Sequence, residues 1–386
     1  MSRLHGRVAM AVYVLWGAVG SVLSAWLTRV IYGNKRMISE DQYSQKQNLR
    51  RELISSPTTP PSQWAESQLL HVACAYSNPL RCHNRRDLMY NFMPHMRNSP
   101  NVVLHVGELA YGDRPFEVTG ADPFDVQLRT EHELWHKENI LNAVISRFPA
   151  DWKYGAYVDG DFVMTRYDWA LEAIQQLQHH DFVQLFSGYS DMTADHRPFR
   201  VQPSFSYAQR NYTSAPVGSA LRPSRARNAT PGATGGAWAF RLDALHKVGG
   251  LLETCILGAA DWYMAFGFIG KTTDGHPEAV SCGAPYEASI RRWQDRAYAA
   301  VKGNIGYVEN HAIHHWHGSK ANRGYGSRWQ ILRDNDFDPH SDIFRNAQGI
   351  WQLTGDKPKL RDDIRRYFLS RGEDSSTLSP SEVPLI

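Results

Sequence analysis

The sequence is poor in cysteine, in net charge and in long apolar runs. Only Cys74, Cys82, Cys255 and Cys282 occur among 386 residues. They are too sparse for a disulfide scaffold and lack the paired spacing of a zinc site, although a single Cys74–Cys82 bridge stays open. A formal charge of +3 does not by itself announce a nucleic-acid binder, so local patterning has to decide that question. No internal repeat is visible. What the chain does have is aromatic side chains, with 12 Trp, 18 Tyr and 15 Phe, and enough length for one large domain or one domain with appendages.

One apolar run stands apart. Val8 to Thr28 carries no charge, and a stretch of about 20 apolar residues is long enough to cross a bilayer. A membrane anchor and a cleaved signal peptide are the two readings; Ser21 to Ala25 resembles a cleavage site, but the length of the run favours the anchor. Arg3 and Arg7 precede the run, and Arg29, Lys35 and Arg36 follow it, so flanking charge leaves the orientation open. We therefore expect an apolar N-terminal helix over 1–36, a polar tether over 37–67, a catalytic domain over 68–330, a helical extension over 331–375 and a tail over 376–386.

Within the domain, strands and helices alternate. Leu69–Ala75, Val102–Val106, Tyr154–Val158 and Phe182–Phe186 read as buried strands; Arg85–Met96, Thr130–Arg147 and Trp169–Leu177 read as helices. That alternation predicts an α/β fold with a mostly parallel central sheet flanked by helices. From His196 to Leu242 the pattern fades into Pro, Ser and Gly. This segment has no Asp or Glu but contains Arg197, Arg200, Arg210, Arg222, Arg225, Arg227 and Arg241. Such a positive, aromatic-interleaved loop suits an anionic ligand, either a sugar-nucleotide diphosphate or a nucleic-acid backbone; a solvated Arg/Ser loop is the bland reading. Asn211-Tyr212-Thr213 and Asn228-Ala229-Thr230 match glycosylation sequons, which matter only in a lumenal domain.

Three stretches carry candidate chemistry. Asp159-Gly160-Asp161 ends a buried strand, where α/β folds bind ligands, and two carboxylates there suit a hard divalent cation with positions left for phosphate oxygens. A solvated turn is the alternative. Asp261, in Gly258-Ala259-Ala260-Asp261-Trp262, opens an apolar helical run and is either an N-cap or a catalytic acid. His311, His314, His315 and His317 surround Trp316 and lead into Lys320 and Arg323. No cysteine or H-E-x-x-H pattern supports a zinc hydrolase, so one imidazole is better read as a third ligand to the cation, with the basic residues as phosphate contacts. Trp238, after Gly235-Gly236, offers a face on which a sugar could stack.

Together these features resemble the GT-A glycosyltransferases. The runs Gly112–Thr119, Leu128-Arg129-Thr130, Glu133–Asn139, Leu257–Asp261 and His314–Lys320 are similar to phage glycosyltransferases grouped with the kinetoplastid base J glucosyltransferase, over about residues 70–374. The resemblance implies a GT-A fold, a nucleotide-sugar donor (UDP-glucose favoured) and Mn²⁺ or Mg²⁺ held by Asp159, Asp161 and His317. It further implies donor contacts from Glu108, Lys137, Asn139, Asp159, Trp238, Lys320 and Arg323. Asp261 would be the base of an inverting transfer. The implied acceptor is hydroxymethyluracil in DNA, which would place the protein in the nucleus. The alternative is a secretory-pathway transferase, anchored in the endomembrane system by Val8–Thr28 and acting on glycans or protein.

Overall fold

Apolar runs without alternation have to be buried on both faces. The computed structural model, which describes residues 69–120, 122–212, 232–272 and 282–382, buries them in a central sheet. Strands β1 (Leu70–Ser77), β2 (Val102–Tyr111), β3 (Val126–Thr130), β4 (Tyr154–Val158), β6 (Phe182–Gln184), β9 (Ala237–Arg241) and β10 (Ile305–Tyr307) form this seven-stranded sheet. Their spatial order is β10–β6–β9–β4–β1–β2–β3. β9 runs antiparallel to β4 and β6, and the other pairings are parallel. The fold is thus mixed α/β with a mostly parallel sheet.

Alternate residues of each strand serve opposite faces. Val72 and Cys74 of β1 join one core with Phe92 of α1 (His83–Arg97) and Trp169 of α3 (Trp169–Gln176). Ala73 faces the other core. There Ile140 and Val144 of α2 (Lys137–Ile145) meet Leu245 of α5 (Leu242–Val248), Met264 of α6 (Ala260–Phe268) and Trp293 of α7 (Ala284–Val301). Fully burying each such side chain is worth roughly 1.5–3 kcal/mol, so both layers are needed to hold the sheet.

A smaller sheet grows from the end of β4. It contains β5 (Phe162–Met164), β7 (Gly188–Met192), β8 (Pro198–Pro203) and β11 (His311–His314), in the order β5–β11–β7–β8. Its register is decisive for the site: His314 pairs with Phe162 on one side and with Asp191 on the other.

Several expectations change. The helix expected over Thr130–Arg147 is shorter, because Thr130 completes β3 and α2 starts only at Lys137. The patternless stretch from His196 holds β8, α4 (Phe205–Tyr212) and β9; Arg222, Arg225, Arg227 and Asn228 lie outside the described residues. The segment 331–375 is not purely helical. It includes an antiparallel pair, β12 (Ile343–Arg345) and β13 (Trp351–Leu353), between α8 (Trp329–Asp334) and α9 (Pro358–Ser370). Leu360 and Ile364 of α9 belong to the same core as Ile140, so this segment packs into the domain. Cys74 and Cys82 are free thiols. The Cys74 Sγ is instead buried against the Met89 Sδ at 3.9 Å. Among the described residues no helix is long and apolar enough to cross a membrane; Val8–Thr28 and the tether 37–67 lie outside them.

Candidate active site

A cavity of about 480 Å³ opens at the carboxyl ends of β1 and β4, within the size range of small-ligand sites. Its wall collects Lys137 and Glu138 from the start of α2, Asp159 and Asp161 from the turn after β4, and Asp261 from the start of α6. His314 comes from the end of β11, and His317, Lys320, Arg323 and Arg328 from the segment after it.

The Asp-Gly-Asp turn is built by backbone bonds. The Asp159 N–H donates to the Gly236 carbonyl at 2.8 Å, and the Phe162 N–H donates to the Asp159 carbonyl at 3.0 Å. The two carboxylates then part. Asp159 accepts from the Lys137 Nζ, with oxygens at 2.6 and 2.8 Å. Burial, and the negative charge of Asp161, push the Asp159 carboxyl up to about 6 against the pull of Lys137. Asp161 faces imidazoles: its Oδ2 lies 3.0 Å from the His317 Nε2 and 3.6 Å from the His314 Nε2. Burial opposes its ionisation, but the His314 and His317 rings outweigh burial and hold the Asp161 carboxyl well below the usual range.

Asp161, His314 and His317 are the one trio among the described residues whose ligand atoms converge closely enough for a metal ion, all within 4.8 Å of one another. The donor set fits a divalent cation. Asp161 Oδ1 is buried without a hydrogen-bond partner, an orphan that a cation would satisfy. The His314 and His317 Nε2 atoms lie only 3.3 Å apart. Burial, reinforced by Arg323, lowers the His317 pKa to about 3, leaving a neutral ring with a lone pair to offer. His314 is oriented from behind, since its Nδ1 contacts the Asp191 Oδ1 at 2.6 Å. A carboxylate behind an imidazole fixes ring orientation and raises ligand basicity. Asp191 is 1% exposed and also receives the Lys320 ammonium. His314 and Lys320 together hold its carboxyl far down despite burial. Asp159 stands outside this trio, with Lys137 occupying its carboxylate.

Asp261 also lines the cavity. Gly258 and Ala259 both have left-handed backbone, with φ of 89° and 67°. This is costly for Ala259, and the bend delivers Asp261 into the first turn of α6. Gly235 lies against it, and a Cβ there would force the Asp261 carboxylate to move. Asp261 is not the N-cap; that position is Ala259, which makes no side-chain cap. Glu138, only 3% exposed, shares the wall. Burial raises its carboxyl to about 8, opposed by Lys137 and reinforced by Asp261. Basic residues complete the cavity: the Nε atoms of Arg323 and Arg328 are buried without a protein acceptor. Tyr325 stands among them. It is 49% exposed; partial burial of the ring raises its phenol, but Arg323, Lys320 and Arg328 bring it down to about 8.

Three expected donor contacts are occupied elsewhere. Glu108 lies inside β2, which runs on to Tyr111, and its carboxylate accepts from the Glu117, Val118 and Thr119 N–H groups and the Thr119 hydroxyl. It ties down the loop after β2 and does not line the cavity. Asn139 pins β13: its amide donates to Glu253 and the Gly349 carbonyl and accepts from the Trp351 N–H. Trp238 is 2% exposed and its indole N–H donates to the Thr234 carbonyl at 2.8 Å, so no face remains for a sugar. Lys137, Lys320, Arg323, Asp159, Asp161, Asp261 and His317 do meet at the cavity. His314, one of the four candidate histidines, and Glu138, which no motif picked out, also line the cavity, while Asp191, equally unmarked in the sequence, stands behind His314. Their signal is strand register and burial, which a sequence does not display.

No family model and no curated protein matches the chain. Among solved structures it matches the mannosyltransferase PcManGT from Pyrobaculum calidifontis in complex with GDP-Man and Mn²⁺. The identity is 13% and the TM-score 0.33, over 85% of this chain and 72% of that one. At this level the likeness is loose, and any functional assignment has to rest on the site itself.

Proposed function

We propose that the protein is a metal-dependent GT-A glycosyltransferase that moves a hexose from a nucleotide-diphosphate sugar to a hydroxyl acceptor. The observation that carries this reading is the cavity itself, where a cation trio, unpartnered arginine donors and a separate carboxylate face a common space. A divalent ion, Mn²⁺ or Mg²⁺, held by Asp161, His314 and His317 would supply a Lewis acid for the diphosphate oxygens. Lys320, Arg323 and Arg328 neutralise the charge that develops on the leaving diphosphate. Lys137, held over the cavity by Asp159, adds a cation on the donor side. Asp261 takes the proton from the acceptor hydroxyl as that oxygen attacks the anomeric carbon, giving inversion; a general base of this kind contributes about 10²–10⁴-fold.

For the finer assignment we favour glucose from UDP-glucose and hydroxymethyluracil in DNA. In support, the sequence runs that resemble the base J group contribute the cavity residues Trp135 to Glu138, Ala259, Asp261, His314, His317 and Lys320. Arg200, on β8, extends the basic wall, and phosphate contacts of this kind weaken steeply with salt. The test is a screen of UDP-, GDP- and dTDP-sugars with the full chain, using hydroxymethyluracil DNA as one acceptor and glycans as another. Salt-sensitive transfer to DNA supports the assignment. Transfer to glycans alone would move it to the membrane-anchored alternative, and failure to cleave any nucleotide sugar would remove the transferase reading.

A further inference from the structure

The segment that follows α9 crosses the histidine turn at three successive points. The Trp316 indole N–H donates to the Ser375 carbonyl at 2.8 Å. Gly318, with φ of 85°, is pressed against the strand of chain beneath it, since a Cβ there would lie 3.0 Å from the Gly372 carbonyl oxygen and the Glu373 Cα. The Glu382 carboxylate then accepts from the Ser319 hydroxyl at 2.7 Å and the Lys320 N–H at 2.6 Å. It also accepts from the Ser379 N–H at 2.7 Å, which closes its own turn. Glu382 is 1% exposed, and a buried carboxylate is costly unless its oxygens are satisfied. Here two of the three satisfying donors belong to the turn between His317 and Arg323.

The same segment is anchored at its other end. Glu373 accepts from Arg85 and from Arg371. Asp374 accepts from the His83 and Asn84 N–H groups at the start of α1, satisfying two donors that a helix N-terminus otherwise leaves unpaired. The Asn84 side chain bridges the two parts by donating to the Trp316 and Glu373 carbonyls. The histidine turn is thus clamped between α1 and residues 371–382.

We propose that residues 371–382 are a strap that positions the imidazole turn for cation binding, with Glu382 as its positioning residue. This rests on the metal reading above. Glu382 touches neither cation nor substrate; it fixes the backbone at Ser319 and Lys320, so that the His317 Nε2 and the Lys320 ammonium project into the cavity together. Ser319 transmits the constraint, because its hydroxyl also caps the following 3₁₀ turn by accepting from the Ala321 N–H at 3.2 Å.

Mn²⁺ titration of the full chain by calorimetry, with no nucleotide sugar present, tests the strap apart from turnover. Glu382→Ala should weaken Mn²⁺ binding about tenfold or more, the scale seen when groups behind metal ligands are removed. Glu382→Gln keeps one oxygen acceptor but turns an NH₂ toward either the Lys320 or the Ser379 N–H, so it should recover only part of that loss. Unaltered Mn²⁺ affinity in Glu382→Ala, with binding by the parent chain intact, would overturn the strap and leave the metal reading standing. No Mn²⁺ binding by the parent chain would overturn both. Should Glu382→Ala fail to fold, Trp316→Phe removes the bond to Ser375 together with part of the buried ring beside Phe199, and severalfold weaker binding is expected; parental affinity there would count against the strap in the same way.

Discussion

Asp159 and Asp161 leave the same strand end two residues apart and enter opposite surroundings. Asp159 turns toward the start of α2 and pairs with Lys137, so its charge is already answered by the protein. Asp161 turns toward the second sheet and meets two rings, with one of its oxygens buried and unpartnered. The first arrangement is closed and the second is open to a cation. A D-x-D pattern therefore does not give two equivalent ligands here. The intervening Gly160 packs close to the Met89 Sδ, where a Cβ would lie 3.0 Å away, and each acid takes its role from the element it faces.

The widest separation between the two acids should come from Asp161→Ala. Transfer should fall by at least about 10³-fold, with Mn²⁺ binding lost in calorimetry, because a cation held by three residues loses its only carboxylate. Asp261→Asn should reduce turnover by about 10²–10⁴-fold while leaving the affinities for Mn²⁺ and nucleoside diphosphate unchanged. Parental turnover in that variant would remove Asp261 as the base. Asp191→Asn tests the imidazole side from behind: Mn²⁺ affinity should drop about 10–100-fold without loss of the His314 ring itself, as read by calorimetry. Asp159→Asn should behave differently, weakening nucleoside diphosphate binding roughly tenfold as Lys137 loses its buried counter-charge. Mn²⁺ affinity should stay within about threefold of the parent. Equal damage to Mn²⁺ binding from Asp159→Asn and Asp161→Ala would erase the distinction.

A last test, read as stability and not as binding, concerns Glu138, whose carboxyl is raised to about 8. The unfolded chain ionises this group near the usual carboxylate value and the folded chain does so only near pH 8. Its contribution to stability is therefore greatest at acid pH and falls away as pH rises through 8. Glu138→Gln should flatten the decline in stability between pH 6 and pH 9 by about 1–3 kcal/mol, allowing for water in the cavity, as measured by urea unfolding. An unchanged decline would show that Glu138 ionises normally.

Much of the central sheet was legible because its strands are uninterrupted apolar runs. β4 falls on Tyr154–Val158 as expected, and the run itself argues for burial on both faces. Helix bounds were less legible: Leu134 packs in the core at helical spacing from Ile140 and Leu141, yet its segment is loop, because Thr130 is committed to pairing with Tyr111. At the site, Asp161, His317, Lys320 and Asp261 were readable from local pattern. His314 could not be told from His311 or His315 until the ladder set it between Phe162 and Asp191. Asp191 sits far from every motif in the chain and reaches the centre only through that pairing. Glu108, Asn139 and Trp238 failed for the opposite reason. Residues of suitable chemistry beside suitable motifs had structural partners from loops and strands that sequence spacing does not reveal.

The most direct measurement is a crystal grown with Mn²⁺ and a nucleoside diphosphate, with anomalous scattering recorded at the manganese edge. The account predicts a single strong peak within bonding distance of Asp161, His314 Nε2 and His317 Nε2, with diphosphate oxygens completing the shell and Asp159 still paired to Lys137. A peak coordinated by Asp159 without the two imidazoles, or no peak in the cavity, would contradict it.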